Sequence, residues 1–264
     1  MARKPTARAL RALDDAQEVV HAAWDASGAR RRALAERALA LSPLCADAHV
    51  ILAMAEPAGS EGALAHWRAG VAAGEAAIGA AGFREMEGMF WGFLETRPYM
   101  RARHGLAHAL WAAGEKAEAI GHLEAMLRLN PNDNQGVRYE LIGWLLAEGR
   151  DAAAAALLDT YPEEGMAVWP WAAALLAFRR AGAEAARAPL AAAMKANPHV
   201  APLLAGTKRM PKRSPAFYGW GDANEAVVAA EELGAAWAAT PGAAAWLRAA
   251  LPPARAARRP KADR

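Results

Sequence analysis

The stretch Leu106-Ala-His-Ala-Leu110-Trp-Ala-Ala-Gly114-Glu-Lys-Ala-Glu-Ala119-Ile120-Gly-His-Leu-Glu-Ala-Met-Leu127-Arg-Leu129-Asn130-Pro131 decides the fold. Leu106 and Leu110 stand one helical turn apart and mark the buried face of a first helix. Gly114 ends that helix, because glycine enters the left-handed backbone of a helix C-cap without steric cost. Ala119 is small enough to let a second helix lie close against the first. Ile120 and Leu127 continue its apolar face, and Asn130-Pro131 stops it. The unit is a helix–turn–helix. Gly149 and Gly182 recur 35 and 33 residues further on, which brackets a 34-residue period.

Working outward, the same grammar continues on both sides. Leu13, Ala16, Val20 and Trp24 fall at helical spacing, and Ser27-Gly28 is a turn. Residues 29–41 form a helix that stops at Leu41-Ser42-Pro43. Ala46–Glu56 and Gly62–Gly79 make the next pair, broken by Pro57-Ala-Gly-Ser60. Residues 80–98 are less regular and crowd Phe83, Phe90, Trp91 and Phe93 into an apolar plug. Downstream, the expected helices are Gln135–Ala147, Asp151–Thr160, Val168–Ala181 and Ala183–Ala196. A long loop over 201–220 follows, and Asp222–Leu233 and Gly234–Leu251 close the stack. The prediction is an all-α, right-handed α-solenoid of five or six helix pairs spanning residues 12–251.

Composition fits that reading. Alanine dominates the chain, a tilt toward helix. Net charge is +3, but Arg3, Lys4, Arg8 and Arg11 at one end and Arg255–Arg264 at the other supply more than that. The body between is mildly acidic. Residues 1–11 and 252–264 are therefore expected to be basic disordered tails. No run reaches the length of a membrane span and no apolar core of a secretory signal occurs, which points to a cytoplasmic chain. The single cysteine, Cys45, excludes an internal disulfide and reads as a buried structural thiol.

Trp91–Arg103, Leu127–Gly136, Asn197-Pro-His-Val200 and Pro241-Gly-Ala-Ala-Ala-Trp-Leu247 carry a family resemblance. The chain resembles bacterial tetratricopeptide-repeat proteins similar to the suppressor-of-tumorigenicity-seven family, over roughly residues 14–250. The resemblance implies a helical-repeat fold and no established catalytic residue set. Animal members carry an N-terminal membrane anchor, and no such segment is expected here.

On a tetratricopeptide unit, positions 2, 5, 9 and 12 of the first helix face the groove. Here they are Arg101, His104, His108 and Trp111. Tyr139 and Trp169 occupy matching places in the following repeats. These six residues are the candidate partner-binding row, in which cationic, switchable and aromatic groups sit on a rigid stack. His104 and His108, at i and i+4, share a helix face and form half of a zinc-ligand pattern. No His-Glu-x-x-His form and no cysteine cluster completes it, so neither a metal nor any other cofactor is expected. Asn130–Gln135 reads as helix capping, with Asp133 or Asn134 as N-cap. No phosphate loop, nucleophile elbow or facing carboxylate pair appears, so no catalytic residue is assigned.

The expected function is a non-enzymatic module that holds a segment of another protein. The alternative is a nucleic-acid-associated protein acting through its basic tails. The charge split and the lack of aromatics interleaved with the tail cations weigh against it.

Overall fold

A computed structural model of the chain describes residues 5–251. Among these the fold is all-α, with thirteen α-helices, two short 3-10 turns and no strand. The chain divides into two compact units, Met1–Leu141 and Ile142–Arg264.

Unit 1 contains α1 (Ala7–Asp25), α2 (Gly28–Leu41), α3 (Ala46–Met54), α4 (Glu61–Met86), α5 (Arg97–Ala113) and α6 (Lys116–Leu129). The helices pack α1 on α2, α3 on α4 and α5 on α6, the pairing of a helical repeat. α1 starts inside the segment expected to be a disordered arm. The Thr6 side chain caps it by accepting from the Ala9 N–H at 3.2 Å. Arg8 and Arg11 therefore ride on a helix, whereas Arg3, Lys4 and residues 252–264 lie outside the described residues. The first core is Ala16, Val20 and Ala23 of α1 against Ala35, Ala38, Cys45, Ala48 and Ile51. Cys45 is fully buried, and that burial, only partly offset by a backbone hydrogen bond, pushes its thiol up to about 11.

The central repeat forms as its residues dictate. Gly114 takes φ 90°, and the next amide, of Glu115, donates back to Leu110 O at 2.9 Å. Gly149 does the same work, with the Arg150 amide donating to Leu145 O at 2.8 Å. Ala119 is fully buried, as close helix approach requires. Residues 80–86 are more ordered than their sequence suggests. α4 runs through them after a left-handed break at Gly79. The aromatic plug forms around Phe83, Phe90 and Tyr99, with ring centroids 5.1–6.1 Å apart. One close approach marks α5: the face of Gly105 is covered by the Trp67 indole, inside the space a Cβ would occupy.

α7 (Val137–Ala147) begins in unit 1, and the division between units falls within it. Unit 2 continues through α8 (Asp151–Thr160), α9 (Val168–Ala185), α10 (Arg187–Ala196), α11 (Val200–Leu204), α12 (Ala223–Ala239) and α13 (Ala243–Ala250). The turn expected at Gly182 appears as a left-handed break inside α9. The expected break at Leu233–Gly234 does not occur. Leu233 is buried in mid-helix, and the chain turns instead at Thr240-Pro241-Gly242, where Gly242 has φ 80°. A single glycine costs a helix only about 1 kcal/mol, whereas a proline removes a backbone donor outright.

Unit 2 holds its polar groups by internal satisfaction. Arg179 donates to Leu146 O, Asp151 Oδ1, Ala236 O and Thr240 Oγ1 at 2.7–3.0 Å. Buried Glu225 accepts from the Ala167 amide, the Asn197 side chain and the Gly221 amide. Trp171, Trp237, Trp246 and Phe178 pack as a chain of rings around this scaffold.

Candidate functional site

Helical spacing puts Arg101, His104, His108 and Trp111 on one face of α5. Its buried residues (Tyr99, Met100, Ala102, Leu106, Ala107, Ala109 and Leu110) occupy the remainder of the helix surface. The four candidates are thus left toward the outside, but each is already engaged.

Arg101 forms a two-point pair with Asp47 of α3. Its Nε donates to Oδ1 at 2.8 Å and its Nη2 to Oδ2 at 2.6 Å. Asp47 is 0% exposed, and its Oδ2 also accepts from Gln17 Nε2 of α1 at 3.1 Å. A buried carboxylate demands such partners, so Arg101 first serves the fold. Above this pair opens a cavity of about 410 Å³ lined by Gln17, His21, Trp24, Asp47 and Arg101. A second cavity, of about 470 Å³, shares Gln17, His21 and Arg101 and extends along α1 and α5 toward Leu94 and Pro98.

His104 and His108 converge on a group that helix spacing alone does not reveal. Both Nε2 atoms reach Glu140 Oε2 in the first turn of α7, at 2.9 and 2.8 Å. Burial alone would raise the Glu140 carboxyl. The two imidazole hydrogen bonds and the positive charge of the rings outweigh it and bring the group down to about 2. The rings meet edge to face, with centroids 4.8 Å apart. The side chains of His104 and His108 are 26% and 51% exposed.

Trp111 is half-buried, with Lys116 Nζ 3.7 Å from its ring centroid, a cation–π contact. Tyr139 is half-buried beneath the Arg138 guanidinium, whose Nη2 donates to its hydroxyl at 2.7 Å. Arg138 is held in turn by Asp133 at 2.9 Å. Asp133 is the cap expected of the Asn130–Gln135 segment: its two oxygens accept from the Val137 and Arg138 amides. Trp169 is the sixth candidate. It belongs to unit 2, is 5% exposed and packs edge-on to Tyr161, so it offers little surface to a partner.

Reading the sequence missed Gln17, His21, Trp24 and Asp47. Asp47 carried a signal: it is the one acidic residue in Ala46–Met54, a helix that is apolar apart from Asp47 and His49. The reading also missed a surface of unit 2. Lys208, Arg209, Lys212 and Arg213 are exposed, and the same loop exposes Phe217 by 80% and Trp220 by 76%. That loop is pinned by hydrogen bonds from Ser214 to Glu231 and from Asn224 to Phe217 O.

No helix among the described residues is long and apolar enough to cross a membrane. No curated protein and no solved structure matches the chain. The family model of the tetratricopeptide repeat matches residues 110–177. That span begins at Leu110 in the central helix–turn–helix and runs into α9. Repeats of this kind generally mediate protein–protein interaction. By helix pairing and by the turns at Gly114 and Gly149 the chain is a helical-repeat protein, and its residues 110–177 are similar to the tetratricopeptide repeat.

Proposed function

We propose that the chain is a non-enzymatic interaction module that seats a segment of another protein on the open face of unit 1. The observation that carries this reading is the cavity floored by the Asp47–Arg101 pair and walled by Gln17, His21 and Trp24. Its polar groups are fixed before any partner arrives, so binding orders few side chains. His104, His108, Trp111 and Tyr139 extend the same set of α5 and α7 residues. Trp169 plays a packing role in this reading. Bacterial origin, kinship with the suppressor-of-tumorigenicity-seven family and a cytoplasmic location belong to the same proposal and rest on the sequence resemblance.

A photo-crosslinking amino acid at position 21, in the cavity wall, should capture a discrete partner in cells. The same group at exposed position 37 of α2 should not. Equal capture from both positions would sink the assignment of this face.

The loop over 207–220 favours a second reading, in which an anionic strand such as single-stranded nucleic acid is bound. Its cations share one loop with exposed aromatic rings, the residue types that backbone neutralisation and base stacking use. An affinity for oligonucleotide that is steeply salt-dependent and lost on replacing Phe217 and Trp220 with alanine would support it. Salt-insensitive or absent binding would remove it.

A further inference from the structure

His104 and His108 lie one turn apart on α5, and Glu140 reaches them from the first turn of α7. One ligand atom from each falls within 4.8 Å of the other two. Two imidazole nitrogens at i and i+4 with a carboxylate from another helix form a recurrent donor set for zinc. We propose that His104, His108 and Glu140 bind one zinc-class divalent cation, with the remaining coordination position open to water or to a donor from a bound partner.

The donor chemistry selects the ion class. Two nitrogens and one oxygen suit zinc, cobalt, nickel or copper, whereas calcium and magnesium want oxygen donors throughout. The geometry needs modest adjustment. A tetrahedral ion about 2.0–2.1 Å from each donor sets the donors about 3.4 Å apart. The present nitrogen-to-oxygen distances of 2.8 and 2.9 Å must therefore open by about half an ångström, and the two ring nitrogens, within 4.8 Å of each other, must settle at that same spacing. Side chains that are 20–51% exposed have the rotamer freedom to make that change, and their exposure supplies the entry path. Coordination uses the lone pair on each Nε2, so each loaded ring carries its proton on Nδ1.

The surrounding charge permits a dication. Arg101, one turn before His104, is neutralised by Asp47, and Arg138, two residues before Glu140, by Asp133. Glu140 supplies a negative charge within the site. His21–Glu18 and His122–Glu118, also in unit 1, are pairs at 3.9 and 3.8 Å that join no third metal-ligating group among the described residues. The inference is independent of the partner-binding reading and fails separately from it.

The test uses the untagged full chain, stripped with chelator and titrated with cobalt(II), then with zinc. The expected result is one equivalent of cobalt with the visible spectrum of low-coordinate cobalt–imidazole, displaced by zinc, and a rise in Tm with zinc. His108→Ala and Glu140→Gln should each weaken that equivalent by more than the roughly 10–100-fold that loss of an outer-shell partner costs. His199→Ala, at an exposed histidine of unit 2, should bind as wild type does. Helix content by circular dichroism accompanies each variant, and Glu140→Gln, nearly isosteric, remains decisive if His108→Ala is destabilised. The proposal is overturned by a wild-type chain without a saturable first equivalent. It is equally overturned by unchanged affinity in either ligand variant, or by loss of the equivalent in His199→Ala.

Discussion

Glu225 in unit 2 and Glu140 in unit 1 are both carboxylates with several donors, yet they sit in opposite settings. Glu225 is 1% exposed and accepts from two backbone amides and an asparagine, none of which can leave. Glu140 accepts from two side chains that are a quarter and a half exposed and can turn toward something else. Arg179 repeats the lesson for cations in part, since two of its four acceptors, Leu146 O and Ala236 O, are backbone carbonyls. A polar group whose partners are backbone is part of the scaffold. A polar group whose partners are mobile side chains at the surface is available to exchange them. On that criterion the histidine–carboxylate cluster around Glu140 is open to a ligand and the Glu225 network is not.

The comparison is broken most forcefully at Glu225. Glu225→Ala strands three donors in a buried site and should cost about 3–5 kcal/mol, read as a drop in the urea midpoint. A loss under about 1 kcal/mol would mean that the network is decorative. Next in size is Ala119→Leu in unit 1. Ala119 is fully buried between α5 and α6, so overpacking should cost about 1–3 kcal/mol. An unchanged midpoint would show that unit 1 is loosely packed and that its open polar face reflects slackness.

Cys45 is a titratable group of unit 1 that is buried in the scaffold, as Glu225 is in unit 2. Its thiol is raised from 9.0 to about 11 by burial, so the folded chain holds a proton that the unfolded chain releases earlier. The associated stability is complete below pH 9 and is lost as pH rises toward 11. Urea midpoints measured from pH 8 to 11 should fall less steeply for Cys45→Ala than for wild type. Identical slopes would show that the thiol is hydrated. The smallest effect is expected at His108, whose half-exposed ring should change stability by no more than about 0.5 kcal/mol when replaced by alanine in metal-free buffer. A loss comparable to that of Glu225→Ala would erase the distinction between the two settings.

The helical repeat was legible because its signals are local. Gly114, Gly149 and Pro131 act within one turn of themselves, and Leu106 and Leu110 mark a face by spacing alone. The face of α5 was legible for the same reason. The partners of that face were not. Asp47 is 54 residues from Arg101 and Glu140 is 36 from His104, and periodicity carries no information about which helices meet. The helix boundary near Leu233 was misplaced because a lone glycine was weighted above Pro241 seven residues later. The start of α1 was misread because basic residues look like a tail until a capping threonine is noticed.

The indole of Trp67 lying on Gly105 has a consequence for how this sequence can change over time. Any side chain at position 105 must first displace that ring. The two positions are thus open to substitution in one order: position 67 shrinks, and only then can position 105 gain a side chain. Drift in the reverse order passes through a clashing intermediate one residue from His104. The arrow can be measured. Gly105→Ala should be tolerated better in a Trp67→Ala background than alone, and lineages that keep the tryptophan should keep the glycine.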